Sequence, residues 1–125
     1  MHHNLRVWQD GMSLVKRIYA LTQSFPKEEA YGLTLQLRRA AISIPLNIAE
    51  GAARSSRKEF IQYLVVARGS LSELETQVLI AKELGYFAPE DLPTDLVEQL
   101  YAGLNGLINS IREKDNERSQ TTPHP

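Results

Sequence analysis

The sequence predicts an all-α protein built as a four-helix bundle. Apolar residues recur with helical periodicity in four segments of the 125-residue chain. No segment shows β-branched residues alternating with polar ones over the length of a strand. Turn-forming residues concentrate in three places and separate those segments: residues 24–26, 51–56 and 85–93. Helices of about 20 residues are about 30 Å long, a length suited to such a bundle.

The first helix is predicted over residues 5–24 and carries two apolar rows. On a helical wheel the two rows merge into an arc of about 200°. Contact with a single neighbour requires a narrower arc, so we expect this helix to touch more than one neighbour. The rows are Leu5, Trp8, Met12, Val15, Tyr19 and Val7, Leu14, Ile18, Leu21.

The second helix, predicted over residues 28–52, is apolar on two nearly opposite sides. One side suits a bundle core: Leu33, Leu37, Ala40, Ala41, Ile44 and Ile48. The other side consists of Leu35, Ile42, Leu46 and Ala49. A small bundle readily buries one such side, so Leu35, Ile42 and Leu46 indicate a contact with another subunit. Pro45 should kink this helix, because proline lacks the backbone N–H donor and clashes with the preceding turn.

The third helix has clear signals at both ends. Ser56 and Glu59 form a capping box, in which each side chain accepts a hydrogen bond from a free backbone N–H. Gly85 follows the last apolar residue as a left-handed C-cap. Between these ends, spacings of four and three alternate, as in coiled-coil-like bundles. The residues with this spacing are Phe60, Leu64, Ala67, Leu71, Leu74, Val78 and Ala81.

The fourth helix is predicted to begin near Pro93 or Thr94. Its apolar side consists of Leu96, Leu100, Leu104, Leu107 and Ile111. We expect residues 1–113 to form the bundle domain. Residues 114–125 contain no apolar side chain that could anchor them, so we predict a disordered C-terminal tail.

A row of polar side chains lies between the two apolar sides of the second helix. Its members are Gln36, Arg39, Ser43, Asn47, Glu50 and Arg54. They are spaced three or four residues apart and lie within about 80° of one another on the wheel. Two interpretations are open: a structural network that sets helix register and oligomer geometry, or the lining of a groove that contacts a ligand or nucleic acid.

Charge is distributed unevenly, although the formal net charge is only −1. Residues 36–68 carry a net charge of +4, whereas residues 69–113 carry −6. The basic segment provides five candidates for phosphate contacts, which a symmetric oligomer would repeat: Arg38, Arg54, Arg57, Lys58 and Arg68. The alternative is that basic and acidic helices attract each other within and between subunits.

The residues needed for common catalytic and metal sites are missing. The chain contains no cysteine, and its three histidines lie in the terminal segments. No Gly-rich phosphate loop or nucleophile elbow occurs. We therefore predict no catalytic residue, no metal site and no cofactor. No apolar run approaches the roughly 20 residues that span a bilayer, so we expect a cytoplasmic protein without a membrane partner.

Several motifs resemble the bacterial four helix bundle protein family, which includes proteins encoded in intervening sequences of large-subunit ribosomal RNA genes. The resemblance is carried by residues 31–51, which contain Ser43-Ile44-Pro45-Leu46-Asn47-Ile48-Ala49-Glu50-Gly51, and by Arg54, Lys58-Glu59-Phe60 and residues 69–75. It implies an antiparallel up-down-up-down bundle that assembles into a ring-like homopentamer. A relative, the accessory protein of diversity-generating retroelements, is a basic pentamer that binds nucleic acid and a reverse transcriptase.

These observations predict a non-enzymatic homo-oligomer, a pentamer by the resemblance, that acts as a binding or assembly module. RNA is the partner to test first. The alternative is a protein-only scaffold or adaptor, whose polar row and uneven charge serve self-assembly and whose client is another protein.

Overall fold

The structure, a computed structural model, describes residues 2–121, with side chains through residue 117. This range forms four α-helices and no strand: α1 (Arg6–Thr22), α2 (Leu33–Ala52), α3 (Arg57–Glu83) and α4 (Thr94–Thr121). Three-residue 3-10 turns occur at His2–Asn4, Lys27–Glu29 and Pro89–Asp91. The predicted all-α four-helix fold is confirmed.

The core lies between the four helices. Each helix packs against the next along the chain, and α4 packs against α1. Helix α1 therefore has more than one neighbour, as expected: it packs against α2 and α4. Burying one Leu or Ile side chain stabilises the fold by roughly 1.5–3 kcal/mol. The largest fully buried side chains are Leu14, Ile18, Leu37, Ile44, Ile48, Leu64, Leu71, Leu74, Leu100, Leu104 and Ile108.

Helix α2 begins five residues later than predicted. Residues Lys27–Glu29 form a 3-10 turn, and the α-helix starts only at Leu33. Glu29 explains this start, because its Oε1 atom accepts a hydrogen bond from the Leu33 backbone N–H at 3.1 Å. Its Oε2 atom accepts a bond from the Tyr86 hydroxyl at 2.8 Å. The hydrogen bond from Tyr86 is the main reason that the pKa of Glu29 is lowered, and the bond from Leu33 is the second. The Tyr86–Glu29 bond also raises the pKa of Tyr86.

The predicted end of α3 is confirmed, and half of the predicted capping box forms at its start; the reciprocal bond from the Ser56 N–H to the Glu59 side chain does not occur among the described residues. The Ser56 hydroxyl accepts a hydrogen bond from the Glu59 backbone N–H at 3.0 Å. At the other end, Gly85 has a φ of 75°, in the left-handed region. The Gly85 and Tyr86 N–H groups donate to the carbonyls of Lys82 and Ala81 at 2.9 and 3.0 Å, which is the Schellman pattern.

Helix α4 extends further than predicted. It continues to Thr121, so the predicted disordered tail is wrong for residues 114–121, which are helical. One contact accounts for part of this extension: the Arg57 guanidinium lies 3.3 Å from the Asp115 carboxylate. Residues 122–125, the rest of the predicted tail, lie outside the described residues.

Candidate assembly and nucleic-acid surfaces

The middle of the polar row forms a hydrogen-bonded network with α3. The Ser43 and Ser70 hydroxyls lie 2.8 Å apart and share a hydrogen bond between the two helices. The Asn47 amide donates to the Ser43 carbonyl at 2.8 Å and to the Ser43 hydroxyl at 2.9 Å. All three side chains are half-buried. Since polar groups that lose water need partners, this network stabilises the α2–α3 contact.

The C-terminal part of the row is also paired. The Arg54 guanidinium donates to the Tyr63 hydroxyl at 2.6 Å and lies 5.0 Å from the centre of the Tyr63 ring. It also lies 4.0 Å from the Glu50 carboxylate. The backbone packs tightly here, because a Cβ atom added at Gly51 would lie 2.7 Å from the Tyr63 Cβ. Arg54, a candidate for both the polar network and phosphate binding, is thus held by an intramolecular contact.

The remaining two members of the row, Gln36 and Arg39, are exposed. Neither side chain makes a hydrogen bond or ion pair with a residue in the described part of the chain. The row is therefore structural at four of its six positions and leaves an amide and a cation available at the other two.

Large apolar side chains are exposed beside this row, on both α2 and α3. We define the outer face as the solvent-facing side of the α2–α3 pair. Its exposed members are Ile42 (41%), Leu46 (55%), Val66 (52%), Ile80 (47%) and Leu84 (54%). Leu35, the third predicted interface residue, is half-buried. Most of the second apolar side of α2 is thus left uncovered by the described residues, and α3 extends it.

The structure does not bring the five phosphate-contact candidates into one patch. Arg38 points towards α1, where its Nε atom donates to the Thr22 hydroxyl at 2.9 Å and its guanidinium lies 4.4 Å from the centre of the Tyr19 ring. It lies 14 residues before Ala52 at the other end of α2, or about 21 Å along the helix axis. The predicted patch that includes Arg38 is therefore divided.

The other candidates lie nearer the α2–α3 turn. Arg54 lies two residues beyond the end of α2, and Arg57 and Lys58 begin α3. Arg57 pairs with Asp115, while Lys58 is exposed and has no partner among the described residues. Arg68 is further along α3, and its guanidinium donates to the Asn105 side-chain oxygen at 2.8 Å. A basic cluster of Arg54, Arg57 and Lys58 remains at the turn.

Sequence reasoning missed a cleft of about 340 Å³ between α1 and the α3–α4 connection. Its lining includes one cation, Arg17, one anion, Asp91, and the ring of Phe87. No sequence pattern relates these residues, because they are far apart in the chain and meet only when the end of α1 packs beside the α3–α4 connection. Within residues 2–121, no group of three or more His, Asp or Glu side chains is arranged to hold a metal ion.

Comparisons with known proteins identify the fold and the family. A chain from Bacteroides thetaiotaomicron, described as a protein with unknown function from the S23 ribosomal protein family, superposes with a TM-score of 0.76 and 21% identity. The match covers 87% of this chain and 99% of that one. At this identity the likeness shows the fold alone.

No functionally curated protein matches the chain. No helix in the described range is long and apolar enough to cross a membrane. The model of the 23S rRNA-intervening sequence protein family matches residues 3–110, nearly the whole bundle. The chain therefore belongs to the 23S rRNA-intervening sequence protein family.

Proposed function

We propose that this protein is a non-enzymatic module that self-associates through the outer face, as a homopentamer. The observation that carries this proposal is the uncovered apolar surface of the outer face, which spans two adjacent helices. Contiguous apolar surface of this kind marks interaction sites in proteins that fold in water. The number five comes from the family resemblance, in which ring-like pentamers occur.

The polar row supports the same function. Ser43, Asn47 and Ser70 fix α2 against α3 by hydrogen bonds, so the apolar side chains of the two helices are presented on one preformed surface. A preformed surface reduces the conformational entropy lost on association. The row therefore contributes to assembly by organising the surface rather than by binding a ligand.

The experiment compares two substitutions of exposed apolar residues on different faces. Leu46→Glu changes the outer face, while Met12→Glu changes α1, where Met12 is 43% exposed. We expect light scattering to give a wild-type mass near five times 14.1 kDa, a lower mass for Leu46→Glu and an unchanged mass for Met12→Glu. A monomeric wild type at micromolar concentration overturns the proposal.

A second candidate function is RNA binding at the α2–α3 turn. It is favoured by the grouping of Arg54, Arg57 and Lys58, and by a family name that refers to ribosomal RNA. Each copy offers few phosphate contacts, so useful affinity would come from repetition of the turn around the oligomer. Where the oligomer binds no RNA, the same self-association describes a protein-only scaffold whose client is another protein.

Filter binding with structured RNA at 50 and 200 mM salt tests this second function. Binding through phosphates weakens steeply as salt rises. Lys58→Glu should weaken binding, whereas Lys16→Glu, the same charge change on an exposed position of α1, should not. Absence of binding at the lower salt concentration rules out the RNA function and leaves the scaffold.

A further inference from the structure

We propose that the α2 half of the outer face in one copy packs on the α3 half in a second copy, with Arg39 facing the partner's Glu73. This inference rests on the proposed self-association and specifies which surfaces meet. Three observations support it. The two halves carry opposite charges, and their charged residues lie at the same height along the bundle axis, which we call their level. The competing anion on α2, Glu50, already has a cation nearby.

The two halves of the outer face carry opposite charges. On α2, Ile42 and Leu46 lie beside Arg39, which has no hydrogen-bond or ion-pair partner among the described residues. On α3, Val66 and Ile80 lie beside the exposed Glu73. Glu73 accepts a hydrogen bond from the Gln77 amide at 3.2 Å but has no cationic partner in the described range. A contact between unlike halves pairs these charges, and such complementarity selects partners and orientation.

The level of each residue along the bundle follows from the pairing of α2 with α3. Ser43 meets Ser70, and Arg54 meets Tyr63, so the sequence runs in opposite directions on the two helices. Arg39 lies four residues before Ser43, and Glu73 lies three residues beyond Ser70. The two charged residues are therefore within one residue, or about 1.5 Å, of the same level.

The apolar residues match in the same way. Leu46 lies three residues after Ser43, and Val66 lies four residues before Ser70, so these two also share a level to within about 1.5 Å. A symmetry axis parallel to the helices keeps every residue at its own level in all copies. An α2-on-α3 contact in such an oligomer therefore brings Arg39 to Glu73 and Leu46 to Val66 together.

The competing arrangement packs α2 on α2 in antiparallel orientation, about a twofold axis perpendicular to the helices, and would pair Arg39 with Glu50. Glu50 is the exposed acidic residue of the polar row, but its carboxylate already lies 4.0 Å from the Arg54 guanidinium. Pairing it with a second cation would compete with that contact. Glu73 has no such cation nearby, and this difference favours the α2-on-α3 contact.

The test reverses the two charges separately and together. We expect Arg39→Glu and Glu73→Arg each to raise the dissociation constant of self-association about tenfold, because each places like charges opposite one another. The double variant restores opposite charges and should return to within about threefold of wild type. Lys16→Glu and Glu98→Arg make the same charge changes on exposed positions of α1 and α4 and should have no effect. Sedimentation velocity measures the constants, and circular dichroism verifies folding.

Two substitutions by neutral residues provide a second test if a charge reversal prevents folding. Glu73→Gln keeps an acceptor for Gln77, and Arg39→Gln removes only the cation. If the two residues meet, either neutral variant loses their interaction, and combining them should weaken association less than the sum of the single effects.

The possible outcomes distinguish failure of the α2-on-α3 contact from failure of the proposed self-association on which it rests. A monomeric wild type overturns the proposed self-association itself. A wild-type oligomer in which Glu73 variants have no effect, or in which the double variant is additive, overturns the α2-on-α3 contact alone. Weakening by Glu50→Arg together with unchanged assembly of Glu73→Arg identifies the α2-on-α2 arrangement instead.

Discussion

Replacing Gly51 by Ala should destabilise the protein, although alanine is the better helix former. A Cβ atom at this position would lie 2.7 Å from the Tyr63 Cβ and 2.9 Å from the Phe60 Cδ1. It would also lie 3.3 Å from the Phe60 carbonyl oxygen, which belongs to the α3 backbone. A side-chain tip could rotate away from the new methyl group, but a Cβ atom and a backbone carbonyl can move only with the helix.

The expected magnitude follows from two opposing effects. Alanine in place of glycine inside a helix stabilises by about 1 kcal/mol. Overpacking a close helix contact costs about 1–3 kcal/mol, and the upper end applies here because α2 and α3 must separate. Gly51→Ala should therefore lower the free energy of unfolding by about 2 kcal/mol. Gly106→Ala is the matched control: it is also inside a helix, but no atom lies within 4 Å of its added Cβ, so it should gain up to about 1 kcal/mol.

Urea denaturation of both variants, at one fixed protein concentration, measures the difference. The concentration must be fixed because self-association stabilises the folded state by mass action. Gly103→Ala should fall between the two, since its new Cβ would meet only the tip of the Val7 side chain at 2.8 Å. Equal stability of Gly51→Ala and Gly106→Ala would refute the close approach of α2 to α3.

Three further predictions concern helix ends and a cross-helix contact. Ser56→Ala should lower the free energy of unfolding by about 1 kcal/mol, measured by urea denaturation, because the α3 N-cap bond is lost. Arg38→Ala should cost about 1 kcal/mol in the same assay, since its bond to Thr22 ties α2 to α1. Tyr86→Phe should alter the pH dependence of thermal unfolding. The Tyr86 hydroxyl lowers the pKa of Glu29. The extra stability that this hydrogen bond gives the wild type is therefore present at neutral pH and declines below about pH 4.

Matched variants decide each of these predictions. Ser55→Ala changes an exposed neighbour of the cap and should be neutral, so an equal loss would argue against capping. Arg38→Lys keeps the charge without the Nε donor. If this variant is as stable as the wild type, the charge alone accounts for the contact and the hydrogen bond to Thr22 does not contribute. Tyr101→Phe removes a weaker 3.5 Å bond to Glu75. If Tyr86→Phe and wild type lose stability in parallel on acidification, the Glu29 hydrogen bond does not contribute.

The helices were predictable because each is specified by local pattern. The N-cap bond of Ser56 and the left-handed Gly85 depend on residues a few positions apart, and both appear as expected. The start of α2 was not predictable in this way. Its cap, Glu29, is held by Tyr86, 57 residues away, so the start depends on a tertiary hydrogen bond that no local window contains. The continuation of α4 involves a similar long-range contact, between Arg57 and Asp115.

The candidate surfaces were also predictable only where a local sequence pattern specifies them. The second apolar side of α2 followed from periodicity, and Ile42 and Leu46 are indeed exposed. Its extension onto α3 by Val66 and Ile80 was missed, because the main α3 pattern has its own core heptads and these residues lie outside them. Net charge by segment also predicted a basic region but not its division. Arg38 and Arg57 face different neighbours, which only the packing of the helices determines.

The polar row has its meaning only when α2 and α3 are considered together. Along α2, Gln36, Ser43 and Glu50 recur every seven residues. Along α3, Tyr63, Ser70 and Gln77 recur at the same interval, and the Ser43–Ser70 bond places the two series side by side. A shift of α3 by one turn would break this bond, so the row specifies register as well as stability.

The last layer of this register differs from the others. Gln77 is 7% exposed, and its Oε1 atom has no hydrogen-bond partner in the described part of the chain. The side chain of Gln36, at the same level on α2, is exposed and also has no partner among the described residues. Arg39 follows within one turn. The polar row is thus paired from Ser43 to Arg54 and unpaired at Gln36 and Arg39, the end at which Arg39 is proposed to meet a second copy, as expected if the network serves both the fold and its assembly.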